Sequence, residues 1–278
     1  MRGESPRMRA EPAPVRGELR AARVVWQREL IRFLRNRGRL AMTLLQPVLY
    51  LLVLGTGMSG LSTASTGFRT YLFPGVLLMT VQTGAVSAGV SLVWDREMGF
   101  LREMLVAPVR RGTLLLGKCA GGATVATCQG AVVLGLAAAA GVPYDPALLA
   151  TLVGELAVAA LALTAFTSVA AVCLTRLQTF QAVMGFALTP MLFLSGALFP
   201  LSGLPSWLGA VCLADPLTYA VDLLRHTVTQ YAPAHSATAP LTAWPLGPRP
   251  SPALELTALT TLGALSLTLA THRFARPK

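Results

Sequence analysis

Residues 95–118 read DREMGFLREMLVAPVRRGTLLLGK, the one long polar interruption between two extended apolar runs. The stretch holds five of the 23 basic and three of the 12 acidic residues of the chain. Taken as a helix, it carries Asp95, Met98, Arg102 and Leu105 at steps of three and four, the spacing that brings side chains onto one face. Pro108 ends that helix, because proline lacks the amide donor and drives Ala107 out of helical geometry. Arg110 and Arg111 then mark the return to the membrane. A short cytoplasmic helix with charges near its start and a proline stop has the form of a docking element for another protein.

The composition of the whole chain supports that reading. Of 278 residues, 54% are hydrophobic and 13% charged, with a mean hydropathy of +0.59. Ordinary soluble domains carry roughly 25% charged residues, so the class is integral membrane protein. A net charge of +11 raises nucleic acid as a partner, but basic residues flanking apolar spans follow directly from the charge bias of cytoplasmic membrane loops. Nucleic acid is therefore set aside. Cys119, Cys128, Cys173 and Cys212 show neither disulfide nor metal-ligand spacing. The first apolar run begins near Leu40, too late and too long for a signal peptide.

Upstream of the charged stretch, residues 1–17 combine Pro6, Pro12 and Pro14 with four arginines and read as a disordered cytoplasmic tail. Over 18–37, Leu19, Ala22, Trp26, Leu30 and Phe33 recur at helical spacing while most arginines lie elsewhere around the helix. That is the pattern of an amphipathic helix lying in the membrane interface. The remainder, 38–278, reads as a six-span transmembrane domain. No Asp, Glu, Lys or Arg occurs from Leu40 to Phe68, which is ample for span one, to about Met58, with Gln46 and Pro47 inside it. Span two takes Tyr71 to Trp94.

Downstream, span three is expected from Leu114 to Val142, and span four from Leu148 to Leu174 after a turn at Pro143–Pro146. Glu155 is the one acid expected inside hydrocarbon, and an ionisable group there is a functional candidate. Span five covers Phe180 to Phe199. The next stretch is apolar but broken by Pro200, Pro205 and Pro216, which predicts half-helices dipping into the outer leaflet. Asp222 and Arg225, three apart, are placed to pair. Span six runs from Ala253 to Thr271. With both ends inside, 20 of 23 basic residues are cytoplasmic, and only Arg69, Arg225 and Arg249 lie outside.

Gly112, Gly117 and Lys118 match the spacing of a phosphate-binding loop, yet Cys119 stands where the magnesium ligand belongs and leucines fill the loop. The match is read as coincidence, with Lys118 snorkelling to the interface. The chain is thus expected to bind no cofactor and no metal of its own. Gly117 and Gly121 form a G-x-x-x-G step suited to close helix packing. His226, His235 and His272 have no acidic or cysteine partners, and no catalytic constellation is visible.

Glu97, Gly99, Glu103, Ala107, Pro108 and the Gly117–Lys118 pair together resemble the cytoplasmic loop of ABC type-2 permeases, the membrane subunits of ATP-driven exporters. A second block agrees: LSGALFP over 194–200, then Leu204, Pro205 and Trp207, then Pro216, Leu217, Thr218, Tyr219, Asp222 and Arg225. The match is to the daunorubicin-resistance type of drug-efflux permease, and it covers the chain from about Leu19 onward. Asp215 stands where many members carry asparagine.

The resemblance implies an all-α half-transporter that pairs with a second copy, as a homodimer, and with two copies of an ABC ATPase subunit that binds ATP and magnesium. Glu97, Gly99, Arg102, Glu103 and Pro108 would form the ATPase-coupling element. Ser195, Gly196, Pro200, Asp215, Asp222 and Arg225, with Glu155, would line a pathway or an outer gate. A drug, antibiotic or other amphipathic compound is the expected cargo. The strong preference for arginine over lysine and the abundant alanine point to GC-rich coding, so the expected location is a bacterial cell membrane with both termini cytoplasmic. The competing reading is an ion-coupled secondary carrier that uses Glu155; a membrane-embedded enzyme and a scaffold without transport rank below it.

Overall fold

A computed structural model describes residues 15–57, 65–99, 110–201, 204–231, 244 and 249–275. Residues 1–14 of the expected tail and the segment 100–109, which carries Arg102, Glu103 and Pro108, lie outside the described residues, whereas residues 15–17 of that expected disordered tail are the first turn of a helix. The described residues are helical, without strands.

Helix α1 runs Val15–Arg35, with Glu18 in its first turn and Arg32 and Arg35 in its last, the order that complements the helix dipole. Helix α2 runs Arg37–Leu49 and continues through a π-helical turn, Tyr50–Leu54, into Gly55–Gly57. Pro47 lies inside α2; it withholds the amide that would bond back to residue 43, and the wider turn follows within a few residues. The apolar part of this unit, Ala41–Gly57, is about 25 Å long at 1.5 Å per residue.

Helix α3, Ser65–Glu97, has 33 residues and starts before the expected Tyr71. Its last turn corrects the reading of the charged stretch. The Met98 amide donates to the Trp94 carbonyl at 3.0 Å and the Gly99 amide to the Arg96 carbonyl at 3.2 Å. Gly99 then adopts φ +76°, a left-handed stop that side-chain-bearing residues rarely make. Asp95, Arg96 and Glu97 therefore end α3, and no continuous helix joins Asp95 to Leu105.

Helix α4 is Arg111–Leu134, followed by a short 3-10 turn, Ala137–Ala140. Helix α5, Pro146–Cys173, is started by Asp145, whose Oδ1 accepts from the amides of Ala147 at 2.7 Å and Leu148 at 3.3 Å. Helix α6 is Leu177–Leu194, shorter than the expected span five. Helices α7, Ser206–Ala214, and α8, Pro216–Tyr231, meet at an 87° bend. Helix α9 is Pro252–Ala275.

Among the described residues, four helices are long and apolar enough to cross a bilayer, namely α3, α5, α6 and α9, and the bent pair α7–α8 makes a fifth if counted as one. The chain is an integral membrane protein. Helix α2 stands at expected span one with its short apolar segment. Helix α4 stands at expected span three with Arg111, Lys118 and Gln129 along its 24 residues.

Helix α3 forms the centre. Leu72, Phe73, Val76, Leu77 and Leu78 are sealed in a core shared with Leu148, Leu152 and Leu156 of α5 and Leu217 and Leu224 of α8. Between membrane spans such contacts contribute van der Waals packing, since lipid tails would offer these side chains an equally apolar surrounding. A second cluster, including Leu92, Leu115, Phe180 and Met184, surrounds the opposite end of α3, where the charged stretch begins.

Candidate functional site

Helix α1 turns its Ala22–Trp26–Glu29 face onto α4 rather than resting in the membrane interface alone. A Cβ added at Gly117 would sit 2.8 Å from the Ala22 carbonyl oxygen, and one at Gly121 would sit 2.9 Å from Glu29 Cβ. The G-x-x-x-G step is thus the crossing point of α1 over α4. Trp26 Nε1 donates to Thr124 Oγ1 at 3.0 Å beside it.

That close approach delivers Glu29 to a buried charge cluster. Lys118 Nζ lies 2.5 Å from Asp95 Oδ2 and 3.4 Å from Glu29 Oε1, with the Lys118 side chain 7% exposed and that of Asp95 3% exposed. Arg28 and Arg32 of α1 approach Asp95 Oδ1 at 3.4 and 3.6 Å. Ser91 Oγ donates to Glu29 at 3.1 Å and accepts from Arg32 at 2.9 Å. Lys118 therefore does not snorkel. Moreover, Gly112 to Lys118 lie within α4, so the segment is helix and not a loop.

Next along α3, Arg96 Nη1 donates to the Val172 carbonyl at 2.8 Å, and Glu97 Oε2 accepts from the Leu177 amide at 3.3 Å. Both residues thus hold the α5–α6 connection. The end of α3 is fixed to α1, α4, α5 and α6 immediately before Gly99 and the segment with Arg102, Glu103 and Pro108.

A second polar cluster sits at the far end of the bundle. Asp222 is 4% exposed and receives Arg249 in a bidentate pair, Nε to Oδ2 and Nη2 to Oδ1, each 2.7 Å. The expected Asp222–Arg225 pair does not form. Arg225, also buried, donates instead to the Gly196 carbonyl at 2.8 Å and lies 4.0 Å over the Tyr71 ring. Tyr71 Oη donates to the same carbonyl at 2.9 Å. Gly196 presents it from a left-handed turn at φ +73°.

The other residues singled out in the sequence are placed as follows. Ser195 Oγ donates back to the Leu192 carbonyl at 2.8 Å, closing α6. Pro200 lies in the irregular stretch beyond it. Asp215 Oδ1 accepts from the Leu217 amide at 2.9 Å, so a carboxylate caps α8 at the α7–α8 bend. Glu155 Oε1 accepts from Thr227 Oγ1 of α8 at 2.6 Å. The structure thus joins Ser195, Gly196, Arg225 and Asp222 in one neighbourhood with Tyr71 and Arg249.

Between α2, α3 and α6 lies a partly open cavity of about 480 Å³. Thr43, Gln46, Gln82, Thr83, Gln181 and Thr189 supply hydrogen-bonding groups, and Met79, Met184, Leu188, Leu192 and Phe193 supply apolar wall. Among the described residues, no Asp, Glu, Lys or Arg lines it. Gln82 is held by a bond from Nε2 to the Leu188 carbonyl at 3.1 Å, and its Oε1 has no hydrogen-bond partner among the described residues. Glu155 does not line this cavity. Tyr71, Arg249, Glu29 and Gln82 were not singled out in the sequence. Each is an ordinary residue for its local setting and acquires its role from a distant partner. Among the described residues, no group of three His, Cys, Asp or Glu side chains is arranged to hold a metal.

Residues 20–229 match the family model described as ABC-2 type transporter. Nodulation protein J of Rhizobium leguminosarum bv. trifolii is 31% identical over 212 residues, 72% of this chain and 78% of that protein. The Cyanophora paradoxa protein named "Putative transport permease ycf38" is 28% identical over 210 residues, 73% of this chain and 72% of its own length. The Escherichia coli K12 protein named "Probable multidrug ABC transporter permease YbhR" is 26% identical over 161 residues, 57% of this chain and 43% of its own.

Proposed function

Because this chain belongs to the ABC-2 type transporter family, whose members are transport subunits that work with ABC ATPase subunits in the membrane, we propose that it is the permease half of an exporter for an amphipathic compound such as a drug or antibiotic. The observation that carries the cargo class is the cavity between α2, α3 and α6. Among the described residues, its wall combines amide and hydroxyl groups, Tyr50 included, with methionine, leucine and phenylalanine and bears no Asp, Glu, Lys or Arg, which suits a cargo with a neutral hydrogen-bonding part and an apolar body. A related protein's name, with the word multidrug, supports the same class.

In this reading α2, α3, α4, α5, α6 and α9 are the six crossings, with both termini in the cytoplasm of a bacterial cell, and α7–α8 is a re-entrant pair at the outer face. A second copy of the chain completes the partly open cavity, covering the face of α6 where Phe186 is 86% exposed. Two ATPase subunits, holding ATP and magnesium, dock on the segment after Glu97 and Gly99 that carries Arg102, Glu103 and Pro108. Closure of the ATPase pair pushes on that segment. The buried cluster of Asp95, Lys118 and Glu29 passes the displacement to α1, α3 and α4 together, and the bundle changes between inward-open and outward-open packing. At the outer face, Tyr71, Gly196, Arg225, Asp222 and Asp215 hold the gate, and Glu155 supports α8 through Thr227.

The test is vesicle export of a fluorescent amphipathic drug by the purified complex, with and without vanadate and with Glu155→Gln. Export stopped by vanadate and retained in the variant is the expected result. Export that ignores vanadate and is lost in Glu155→Gln would establish the ion-coupled carrier instead.

A further inference from the structure

A separate groove of about 510 Å³ runs between α1 and the first turns of α4, away from the proposed cargo cavity. Leu19 and Ala22 of α1, Leu116 and Ala120 of α4, and the Trp26 ring form its walls, and Arg23 is the basic residue that lines it. Leu19 is 67% exposed and Leu116 44% exposed, so an apolar surface on both sides of the groove is left uncovered by the described chain. The Trp26 indole N–H is already taken up by Thr124.

The groove's charge is one-sided. Arg23 is exposed and makes no hydrogen bond or ion pair among the described residues. Arg20, Arg110 and Arg111 are exposed nearby in sequence. The acid of the groove, Glu18, is engaged by Arg110 Nε at 3.2 Å and by Thr113 Oγ1 at 3.3 Å. An occupant must therefore bring an apolar chain and an anionic head. In a membrane that combination is an anionic phospholipid, since a guanidinium matches a phosphate in geometry as well as in charge.

We propose that this groove holds an acyl chain of an anionic phospholipid, with its phosphate on Arg23, in the leaflet that contains α1. The lipid fills the gap between α1 and α4 next to the Gly117–Gly121 crossing and holds the two helices together. The inference requires insertion in a bilayer and not export, so its failure would leave the proposed function untouched.

Trp26 is a built-in probe. The full chain is placed in phosphatidylcholine nanodiscs, and tryptophan quenching is followed as acyl-brominated phosphatidylglycerol or acyl-brominated phosphatidylcholine is added. The expected result is half-maximal quenching at a several-fold lower fraction of the anionic lipid. That preference is lost in Arg23→Gln and absent in Trp26→Phe, and it survives Arg35→Gln, which removes an exposed arginine outside the groove. Equal quenching by the two lipids, selectivity that persists in Trp26→Phe or Arg23→Gln, or an equal loss in Arg35→Gln would each overturn the assignment.

Discussion

The amine of Lys118 lies 2.5 Å from the Asp95 carboxylate, so the first and last residues of the charged stretch are joined and the end of α3 is tied to α4 at that point. Glu29 reaches the same amine, and Arg28 and Arg32 reach the same carboxylate. A lysine of α4 and two acids are thereby withdrawn from solvent at one point, while the side chains of Arg28 and Arg32 stay 32% and 42% exposed. In the proposed coupling mechanism such an anchor matters, because a push on a freely hinged segment would be lost in its own motion.

Replacing Lys118 by Met leaves Asp95, almost fully enclosed, with only the two more distant arginines. Removing one member of a buried pair costs roughly 3–5 kcal/mol. We expect a clear fall in melting temperature for Lys118→Met in detergent. The double variant Asp95→Asn/Lys118→Met should recover more than half of it. A double variant no better than the single one would mean that the pair is not coupled.

At Gly121, a leucine would meet Glu29 where a Cβ alone comes within 2.9 Å. Overpacking at such a crossing costs roughly 1–3 kcal/mol. In a background without the four native cysteines, Gly121→Leu should lift α1 from α4, and a cysteine introduced at Val25, buried beside Gly117, should become reactive toward a water-soluble maleimide. Unchanged labelling would show that α1 yields locally without leaving.

Arg249 and Asp222 form a two-point ion pair in the second polar cluster. Arg249→Gln strands a buried carboxylate, at a cost of about 3 kcal/mol for a pair whose arginine keeps some solvent contact. Asp222→Asn/Arg249→Gln should cost less than the sum of the single changes, and a thermal-unfolding double-mutant cycle measures the difference.

Glu97 separates a structural from a docking role. Among the described residues its polar contact is a hydrogen bond from the Leu177 amide at a helix start, worth about 1 kcal/mol or less at an exposed site. Glu97→Gln should therefore leave the melting temperature almost unchanged while reducing the amount of ATPase recovered with the purified chain. Full ATPase recovery would leave Glu97 with its helix-start role only.

Gly185 lines the cavity, and a Cβ built on it meets nothing within 4 Å. Gly185→Trp should fill the cavity without disturbing the fold. We expect export to fall by about tenfold, equivalent to about 1.4 kcal/mol, with an unchanged melting temperature. Retained export would move the pathway elsewhere.

The amino-acid sequence by itself determined the membrane class and the family, through apolar runs, a one-sided distribution of arginine and two separated motifs. It also determined that the chain breaks after α6, because Pro205 and Pro216 forbid a continuous helix there, and the 87° bend follows. These properties depend on near neighbours or on totals, which a linear string records. The partners of the charges were decided only by tertiary structure. Asp222 and Arg225 sit at pairing distance along one helix, yet α9's approach brings Arg249 to the acid and α3's approach brings Tyr71 to the base. Lys118 reads as an interfacial lysine until the glycines of α4 let α1 come close enough to present Glu29. The sequence separations across these contacts, 27 for Arg249 with Asp222 and 67 for Arg28 with Asp95, exceed any helical period. Only the packing of whole helices sets which buried ions meet, because an ion removed from water must find a countercharge wherever the fold brings one.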